Sequence, residues 1–454
     1  MLFKIVEAIS EAGGRAYLVG GYVRDHILEM KSKDHDIEVF GIDIGKLEEI
    51  LSRFGTISEV GRSFGVIKLS VGGYDFDFSL PRRDSKCSPG HKGFIIETDP
   101  SLSIEEAAYR RDFTFNSMSI DPLSGEILDP YDGGFDILFR VLRHTSDHFA
   151  EDPLRVLRGF QFCGRYNLKA SQVTINLCRS LLNEFEYLAI ERIWGEWEKW
   201  ATKSTKPGAG LRFLEQTGWI QKFPELNAIC GLEQDKEWHP EGDVWEHTIE
   251  TVDATQIVCE REGFNNESKL IVILAALCHD IGKPTTVEII DGRIRNPGHA
   301  SDGIEPTKSF LKRIGCPKKY HQPIEALVKE HMVHLSFKEK VSKKISRRLL
   351  YRLGDATPQQ LCAIIEADHR GRGDIHATLP DRYYALKESL EAIESEIKPI
   401  LLGRHLIDLG YKPGPHFGLI LKGAFEAQLD GEFETIEGGL EWIKKQDITI
   451  YINN

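Results

Sequence analysis

The sequence contains no apolar segment long enough to cross a membrane. The longest uninterrupted apolar run, residues 270–278, has nine residues, whereas a transmembrane helix needs about 20. At the N-terminus, Glu7 and Glu11 interrupt the stretch in which a secretory signal peptide would need a continuous apolar region. We therefore expect a cytoplasmic protein that does not associate with membranes.

The sequence also lacks closely spaced pairs of cysteines. The eight cysteines are scattered along the chain, and no two of them form a Cys-x-x-Cys pair. A zinc ribbon and a thioredoxin-like redox centre are therefore not indicated. Several cysteines stand in apolar stretches, which predicts buried thiols and fits a reducing cytosol.

The chain has no excess of positive charge. It carries 57 Lys and Arg against 70 Asp and Glu, a formal net charge of −13, although surfaces that bind nucleic-acid phosphates are usually basic. A local basic patch is still compatible with this composition. Residues 338–352 contain seven basic residues and one acidic residue, a pattern that fits an RNA-facing stripe or a solvated helix face equally well.

The length and the hydrophobic periodicity predict four parts. At about 100–200 residues per domain, a chain of 454 residues corresponds to several domains. Short β-rich stretches alternate with helical ones up to about residue 145, and helical periodicity dominates from residue 152 to about residue 398. We predict domains at residues 1–145, 146–228, 229–398 and 399–454.

A glycine turn near the N-terminus is a candidate phosphate-binding element. Gly20 and Gly21 separate a predicted strand from a predicted helix. Glycine lets the backbone approach a phosphate closely, and a helix N-terminus attracts negative charge. Arg24 would add a charge-assisted hydrogen bond. Taken alone, the motif is equally compatible with a plain tight turn.

Two acidic residues follow on the next predicted strand. Asp34 and Asp36 alternate along it, so both side chains point to one face. Such a carboxylate pair can hold Mg²⁺, which prefers oxygen ligands and leaves room for substrate phosphates. The ion would lower the pKa of an attacking hydroxyl and neutralise a pyrophosphate leaving group, so the pair is a candidate nucleotidyl-transfer site. Glu38 continues the alternation as a further candidate ligand or a solvated acid.

The histidine-rich region after residue 237 indicates a second metal site. His279 and Asp280 follow the long apolar run, where a neighbouring imidazole and carboxylate can bind one ion, and His247 would supply a ligand from a preceding helix. Mixed imidazole and carboxylate ligands suit Mn, Fe, Ni, Co or Zn better than Mg alone. A structural role is the alternative for each histidine here, and a capping or packing role is the preferred interpretation of His239.

Five ordered motifs resemble the class II tRNA nucleotidyltransferases, the bacterial class of the polymerase β-like superfamily that also includes poly(A) polymerases. They are residues 20–25 (GGYVRD) with 34–36 (DHD), 110–116 (RRDFTFN), 129–136 (DPYDGGFD), 149–158 (FAEDPLRVLR) and 191–192 (ER). The histidine pattern around residues 279–283 (HDIGK) resembles the HD-domain phosphohydrolases. The segment from Gly403 onward resembles the tail of the same transferase family, so the resemblance covers nearly the whole chain.

The resemblance implies a role for each matching position. Mg²⁺ would be held by Asp34 and Asp36, with Asp77 as a third carboxylate and Asp75 as the alternative on the same face. The residues implied in nucleotide binding are Gly20, Gly21, Arg24 and Arg110 or Arg111 for the triphosphate, Asp112 and Asn116 for the ribose, and Asp152, Arg155 and Arg158 for the base and nucleotide, with Glu151 orienting them. The implied HD-site ligands are His247, His279, Asp280 and Asp368, with His299 and His331 for a possible second ion.

The implied fold is α+β, with a polymerase β-like nucleotidyltransferase head followed by a mostly α-helical neck, an HD domain and a tail. The implied activity is template-independent addition of C-C-A to the tRNA 3′ end from CTP and ATP, with Mg²⁺ as cofactor and pyrophosphate as product. The HD domain would add phosphatase, 2′-nucleotidase or 2′,3′-cyclic phosphodiesterase activity with a transition metal. The sequence indicates no oligomeric state.

Several alternatives stay open at this point. Enzymes that add only C-C, only A, or poly(A) share the same motifs. A protein that is chiefly an HD phosphohydrolase would use the transferase domain to bind RNA. A pure binding protein would have lost the metal carboxylates, which this sequence retains. Gln161 stands where the family often has a further arginine, so any contact made by that arginine is absent here.

Overall fold

The computed structural model describes residues 1–31, 35–58, 66–86, 94–337, 341–373, 378–393 and 397–446. Asp34, the first residue of the predicted carboxylate pair, lies outside these described residues. The chain divides into two compact units, Met1–Pro224 and Glu225–Asn454. A sheet-containing head and a helical remainder confirm the predicted α+β class.

The first unit begins with the head. Its helices are α1 (Leu2–Glu11), α2 (Gly21–Ile27), α3 (Ile44–Leu51), α4 (Ile104–Tyr109) and α5 (Gly133–Leu138). Its strands are β1 (Arg15–Val19), β2 (His35–Phe40), β3 (Thr56–Ser58), β4 (Val66–Val71), β5 (Tyr74–Ser79), β6 (Arg82–Lys86), β7 (Phe94–Thr98), β8 (Ser119–Ile120), β9 (Ile127–Leu128) and β10 (Val141–Leu142). Strands β1, β2, β4 and β5 therefore confirm, within the described residues, the short β-rich stretches predicted for this part of the chain.

Seven of these strands form one sheet, in the order β3-β4-β5-β2-β1-β8-β9. Strand β2 lies parallel to β5, and Asp36 stands directly opposite Asp77 in the register. The alternate residues Ile37 and Val39 are fully buried, whereas Asp36 is exposed. Because side chains alternate between the two faces of a strand, the acidic residues share the face that is turned away from the apolar core.

The rest of the first unit is mainly helical. It contains α6 (Leu154–Tyr166), α7 (Gln172–Ser180), α8 (Ile190–Lys203), α9 (Pro207–Gln216) and the two-residue strand β11 (Lys169–Ala170). Phe160, Trp197 and Trp200 form a buried aromatic cluster between α6 and α8. At Gly210 a Cβ atom would lie 2.6 Å from the carbonyl oxygen of Phe160, so glycine is what allows α9 to lie against α6.

The second unit is built from helices. After α10 (Pro224–Asn227), which spans the boundary, these are α11 (Val244–Arg261), α12 (Asn266–Cys278), α13 (His299–Asp302), α14 (Ile304–Arg313), α15 (His321–Glu330), α16 (Lys343–Leu353), α17 (Pro358–Arg370), α18 (Asp381–Glu391), α19 (Gly403–Asp408), α20 (His416–Asp430) and α21 (Ile436–Lys445). The nine-residue apolar run forms most of α12, and every one of its side chains is buried. Among the described residues, no helix is both long enough and apolar enough to span a bilayer.

One short hairpin interrupts the mostly helical region after residue 237 and was not predicted. Strands β12 (Glu288–Ile290) and β13 (Arg293–Arg295) pair antiparallel. Asp291 and Gly292 connect them with positive φ angles of 53° and 75°. Asp-Gly is a favoured two-residue hairpin turn, so the signal was present but was outweighed by the surrounding helical periodicity.

The basic stretch around α16 contacts acidic side chains of the same unit. Its ion pairs are Lys344–Asp430, Arg348–Asp430, Arg348–Glu426, Arg347–Glu434 and Arg352–Glu330. Most of these partners belong to α20 or follow it directly, so the charges join α16 to the C-terminal helices. This arrangement favours a structural role over an RNA-facing stripe, for the part of the stretch that the structure describes.

Candidate active sites

A cleft of about 630 Å³ in the first unit brings most of the predicted nucleotide-binding residues together. The predicted residues that line it are Gly20, Gly21, Arg24, Asp36, Arg110, Arg111, Asp112, Asn116, Asp152, Arg155 and Arg158. Asp77 and Glu151 are not among its lining residues, although both lie next to residues that are. Four of the five sequence motifs thus contribute to one surface, even though they are spread over more than a hundred residues, whereas none of residues 129–136 lines it.

The carboxylates at the cleft suit a hard cation. Asp36 and Asp77 project from neighbouring parallel strands at the same register position. The Nζ atom of Lys68 lies 3.1 Å from an Asp77 oxygen, and this hydrogen bond, with the charges of Asp75 and Asp36, raises the pKa of Lys68. Asp75 instead receives a 2.5 Å hydrogen bond from Ser70. The geometry therefore favours Asp77 over Asp75 as the partner of Asp36.

Gly20 keeps the space beside Asp36 free. Its φ of +65° lies in the region that favours glycine. A Cβ atom there would lie 4.0 Å from an Asp36 carboxylate oxygen and 3.5 Å from an Arg111 nitrogen. Any side chain at this position would enter the gap between a candidate metal ligand and a candidate phosphate-binding cation.

A buried polar network forms one wall of the cleft. Arg24 donates to Asn116, whose amide nitrogen donates to Asp112, and Arg158 donates to the other Asp112 oxygen at 2.6 Å. Burial alone would raise the pKa of Asp112, but the charge of Arg158 and the hydrogen bonds from Asn116 and Arg158 hold it below its ordinary value. Arg24 also bonds Asp25 and is only 5% exposed. The network fixes the orientation of two guanidinium groups before any substrate binds.

Asp152 and Arg155, which are predicted to read the incoming base, hydrogen-bond other residues rather than each other. Asp152 accepts two hydrogen bonds from Arg192, at 2.7 and 3.3 Å. Arg155 donates instead to the backbone carbonyls of His148 and Arg110, at 2.7 and 2.8 Å. Arg192 belongs to the Glu-Arg motif at residues 191–192, but the sequence alone assigned it no role.

Glu151 contacts different residues from those expected. It accepts a hydrogen bond from Arg110 at 2.9 Å, and it lies 2.7 Å from the ring of His148. The structure therefore places Glu151 where it orients Arg110, and shows no contact from it to Asp152 or Arg155 among the hydrogen bonds of the described residues.

The cleft is also lined by residues that no motif indicated. Arg165, Lys199 and Lys203 line it together with Gln161. Gln161 is 2% exposed, and its side-chain nitrogen has no hydrogen-bond partner among the described residues. Helical spacing on α6 would have placed Arg165 on the same face as Arg158 and Gln161, so this part of the lining was accessible to sequence reasoning.

The second unit brings the four predicted HD ligands into one buried cluster. The Nε2 atom of His247, on α11, lies 3.0 Å from an Asp368 oxygen on α17. The Nε2 atom of His279 lies 3.1 Å from an Asp280 oxygen, both just after α12. The remaining distances, His247–Asp280 and His279–Asp368, are 3.8 and 3.9 Å. All four side chains are at most 3% exposed.

Polar atoms close to Nδ1 fix the orientation of the histidine rings in this cluster. The Nδ1 atoms of His279, His299 and His331 each lie 2.6–2.8 Å from a backbone carbonyl oxygen three residues earlier. The Nδ1 atom of His247 lies 2.7 Å from Glu241. A partner on Nδ1 leaves Nε2 directed inward as a ligand atom. Nε2 of His279 is buried without a well-directed hydrogen bond among the described residues, as expected of an atom that fits a metal ion.

Asp280 connects two candidate ligand sets. One of its oxygens faces His279, and the other lies 3.2 Å from Nε2 of His299. Nε2 of His299 in turn lies 3.3 Å from Nε2 of His331. Burial lowers the pKa of His331 to about 3, helped by the charges of His279 and His299. His331 is therefore neutral at ordinary pH, which is the form that binds metals.

Two cations border the carboxylates of this cluster. Burial by itself would raise the pKa of Asp280, but His279 and Lys283 hold it well below its ordinary value. Burial would likewise raise the pKa of Asp368, and Arg372 and His247 keep it low. Both carboxylates are therefore ionised and available to a cation. Lys283, Arg372 and Glu241 were not predicted as site residues.

Comparison with known proteins identifies one domain family in each of the two compact units. Residues 16–143 match the poly A polymerase head domain, and residues 244–395 match the HD domain. The Multifunctional CCA protein of Xanthomonas campestris pv. campestris strain B100 is 33% identical over 376 residues, covering 81% of this chain and 88% of that protein. The Multifunctional CCA protein of Mannheimia succiniciproducens is 33% identical over 398 residues, covering 85% and 91%. The chain belongs to the multifunctional CCA protein family.

Solved structures show the same fold. The CCA-adding enzyme of Bacillus stearothermophilus, in complex with CTP, has a TM-score of 0.64 and 19% identity, covering 100% of this chain and 98% of that one. The Thermotoga maritima CCA-adding enzyme, complexed with tRNA-CCA, has a TM-score of 0.59 and 20% identity, covering 97% and 93%. Both domain families are metal-dependent, and the described residues of this chain include groups that fit an ion.

Gly282 allows the chain after α12 to pack closely against α13, which begins with His299. A Cβ atom there would lie 2.2 Å from the carbonyl oxygen of His299 and 2.5 Å from the backbone nitrogen of Gly303. We expect Gly282→Ala to displace α13 and to cost about 1–3 kcal/mol of unfolding free energy, as measured by denaturant unfolding. Gly418 is the control, because it lies on α20 with nothing within 4 Å of its Cβ position. Equal unfolding free energies of Gly282→Ala and Gly418→Ala would show that residue 282 does not pack closely against α13.

Proposed function

We propose that this chain adds C-C-A to the 3′ end of tRNA from CTP and ATP, and that its HD domain hydrolyses phosphate esters at damaged RNA ends. The observation that carries the transferase proposal is the cleft in which Asp36, the register partner of Asp77, lies with the network of Arg24, Asn116 and Asp112. Membership of the family supports the choice of tRNA, CTP and ATP as partners.

The acidic face would hold Mg²⁺. We assign Asp36 and Asp77 to it, together with Asp34, which the sequence pattern places on the same face of the strand. When bound, Mg²⁺ supplies a lower pKa for the attacking 3′-hydroxyl and neutralises charge on the pyrophosphate leaving group. The oxygen of the RNA 3′-hydroxyl forms a bond to the α-phosphorus, and the bond from that phosphorus to the oxygen shared with the β-phosphorus breaks. Pyrophosphate leaves with this oxygen, and the hydroxyl proton passes to solvent.

The protein itself would orient the triphosphate. Arg110 and Arg111 stand at the cleft with fixed partners, because Glu151 holds Arg110 and Glu38 holds Arg111 at 3.0 Å. Guanidinium groups that are already oriented lose little conformational freedom on binding phosphate oxygens. Gly20 and Gly21 leave the backbone accessible next to them.

Base selection without a template would depend on Asp152 and the arginines around it. A carboxylate acceptor and a guanidinium donor together match the hydrogen-bonding edge of cytosine or adenine. Since Asp152 is bonded to Arg192, we infer that Arg192 takes part in this selection beside the predicted Arg155. An incoming base would compete for the hydrogen-bonding groups of Asp152 and Arg192. Nucleotides whose base edge matches both the carboxylate and the guanidinium group would therefore be favoured.

The HD domain would use the ligands His247, His279, Asp280 and Asp368, with His299 and His331 available to a second ion. Transition metals such as Mn, Fe, Ni, Co or Zn suit this mixed set. When bound, the metal supplies an activated water for attack on phosphorus. The attacking oxygen forms a bond to phosphorus, the ester bond breaks, and the leaving oxygen takes up a proton. Suitable substrates are 2′-phosphates and 2′,3′-cyclic phosphates.

The transferase proposal is tested with labelled nucleotides and a tRNA that ends before C-C-A. We expect CTP alone to add two residues, ATP alone to add none, and both together to add C-C-A. Long A tracts with ATP alone would indicate a poly(A) polymerase, and a stop after C-C or a requirement for tRNA ending in C-C would indicate a partial activity. No incorporation of either nucleotide in the presence of Mg²⁺ would refute the transferase assignment.

A further inference from the structure

Arg372 lies at the outer edge of the HD cluster. Its Nη2 atom donates to both carboxylate oxygens of Asp368, each at 3.1 Å. The Arg372 side chain is 18% exposed, whereas Asp368 and Asp280 are 3% exposed. A guanidinium group therefore stands between a buried candidate metal ligand and solvent. The contact to Asp368 uses one of its three nitrogens.

Lys283, the second cation at the cluster, is placed differently. Its Nζ atom lies 2.7 Å from Asp280 and 3.0 Å from the side-chain oxygen of Gln234, and the side chain is 7% exposed. Both contacts are internal, so Lys283 serves to hold Asp280. Arg372 is the more exposed of the two cations and still has N–H groups beyond those that contact Asp368.

The charges at the cluster favour an anion once a metal is bound. Three carboxylates, on Glu241, Asp280 and Asp368, are bordered by the two cations Lys283 and Arg372. This set has a net charge of −1 when the histidines are neutral, and one divalent ion reverses the sign. A site that is positive, mostly buried and bordered by a planar guanidinium group is suited to a phosphate.

We propose that Arg372 binds the phosphate group of the HD-site substrate, a terminal phosphomonoester or a 2′,3′-cyclic phosphate of RNA. The inference rests on the proposed HD function and identifies the residue that holds its substrate. Arg372 maintains its hydrogen bonds to Asp368 through Nη2 and donates its remaining N–H groups to non-bridging phosphate oxygens. It thereby fixes the distance between the scissile phosphate and a metal ligand.

Arg370 provides a matched control on the same helix. It bonds Glu366, four residues earlier, at 2.7 Å, as Arg372 bonds Asp368 four residues earlier. Glu366 is not a member of the ligand cluster, and it also accepts hydrogen bonds from Arg261 and Tyr383. Arg370→Gln therefore removes an equivalent ion pair without touching the proposed phosphate site.

The test uses the full chain loaded with Mn²⁺. Bound metal is measured by elemental analysis, orthophosphate affinity by calorimetry, and kcat and KM on 2′,3′-cyclic AMP. For Arg372→Gln we expect unchanged metal content and an orthophosphate Kd about 10- to 100-fold higher, with KM raised in parallel. Arg372→Lys should recover part of the affinity, and Arg370→Gln should match the parent.

Two results would overturn the inference. One is an orthophosphate Kd for Arg372→Gln equal to that of the parent. The other is loss of bound Mn²⁺ in this variant, because Arg372 would then act only by positioning Asp368. A parent protein that neither binds orthophosphate nor hydrolyses the cyclic nucleotide would refute the proposed HD function itself, and the inference with it.

Discussion

Asp36→Asn is expected to lower the rate of nucleotide addition at least ~1,000-fold, because it removes a metal-binding charge worth several kcal/mol in the transition state. The fold should be unaffected, since Asp36 is exposed on β2 and faces away from the core. Asp77→Asn should have a comparable effect, because the two carboxylates are register partners. Single-turnover extension of a tRNA lacking C-C-A gives the rate without interference from product release.

Asp75→Asn is the matched control for this prediction. Asp75 lies two residues before Asp77 on the same strand and face, but its carboxylate is bonded to Ser70. We expect it to add nucleotides at the parental rate. A loss for Asp75→Asn with normal activity for Asp77→Asn would mean that the third carboxylate was assigned to the wrong residue. Full activity of Asp36→Asn would exclude Asp36 as a ligand of a metal ion that nucleotide addition needs.

His279→Ala is expected to abolish hydrolysis of 2′,3′-cyclic phosphates, with at least a ~1,000-fold fall in kcat/KM, while nucleotide addition continues unchanged. His279 contributes Nε2 to the HD cluster, and every lining residue of the transferase cleft belongs to the first unit. The measurement is both activities on one preparation of the variant, together with its metal content.

His369→Ala controls for general damage to the second unit. His369 follows Asp368 directly, but its ring bonds the backbone oxygen of Thr378 and is not part of the cluster. We expect parental hydrolysis from this variant. Parental hydrolysis by His279→Ala would exclude the HD cluster as the hydrolytic site, and loss of both activities would show that the two sites are not independent.

The elements with strong local patterns could be predicted from the sequence. Alternation identified β2 and β5, and the apolar run at residues 270–278 was correctly separated from a membrane span by its length. The hairpin β12–β13 was missed because its strands have only three residues each. Runs that short give too few alternations to outweigh neighbouring helical periodicity, so only the Asp-Gly turn indicated it.

The candidate sites were only partly accessible to sequence reasoning. Motifs identify residue types at fixed spacings, and eleven of the predicted nucleotide-binding and catalytic residues do line one cleft. They do not specify which side chains bond each other. The pairing of Asp152 with Arg192, forty residues apart, depends on the packing of α6 against α8. Likewise, the contact of Glu241 with His247 depends on the fold of the second unit, whereas the pair Arg372–Asp368, four residues apart at the end of α17, was accessible from helical spacing.

The most direct test of the central claim is to sequence the 3′ ends of product made by the parent chain from tRNA that lacks C-C-A, with CTP, ATP and Mg²⁺ all present. We expect products that end in C-C-A and are extended no further. Ends that stop at C-C, or that continue as poly(A), would contradict it.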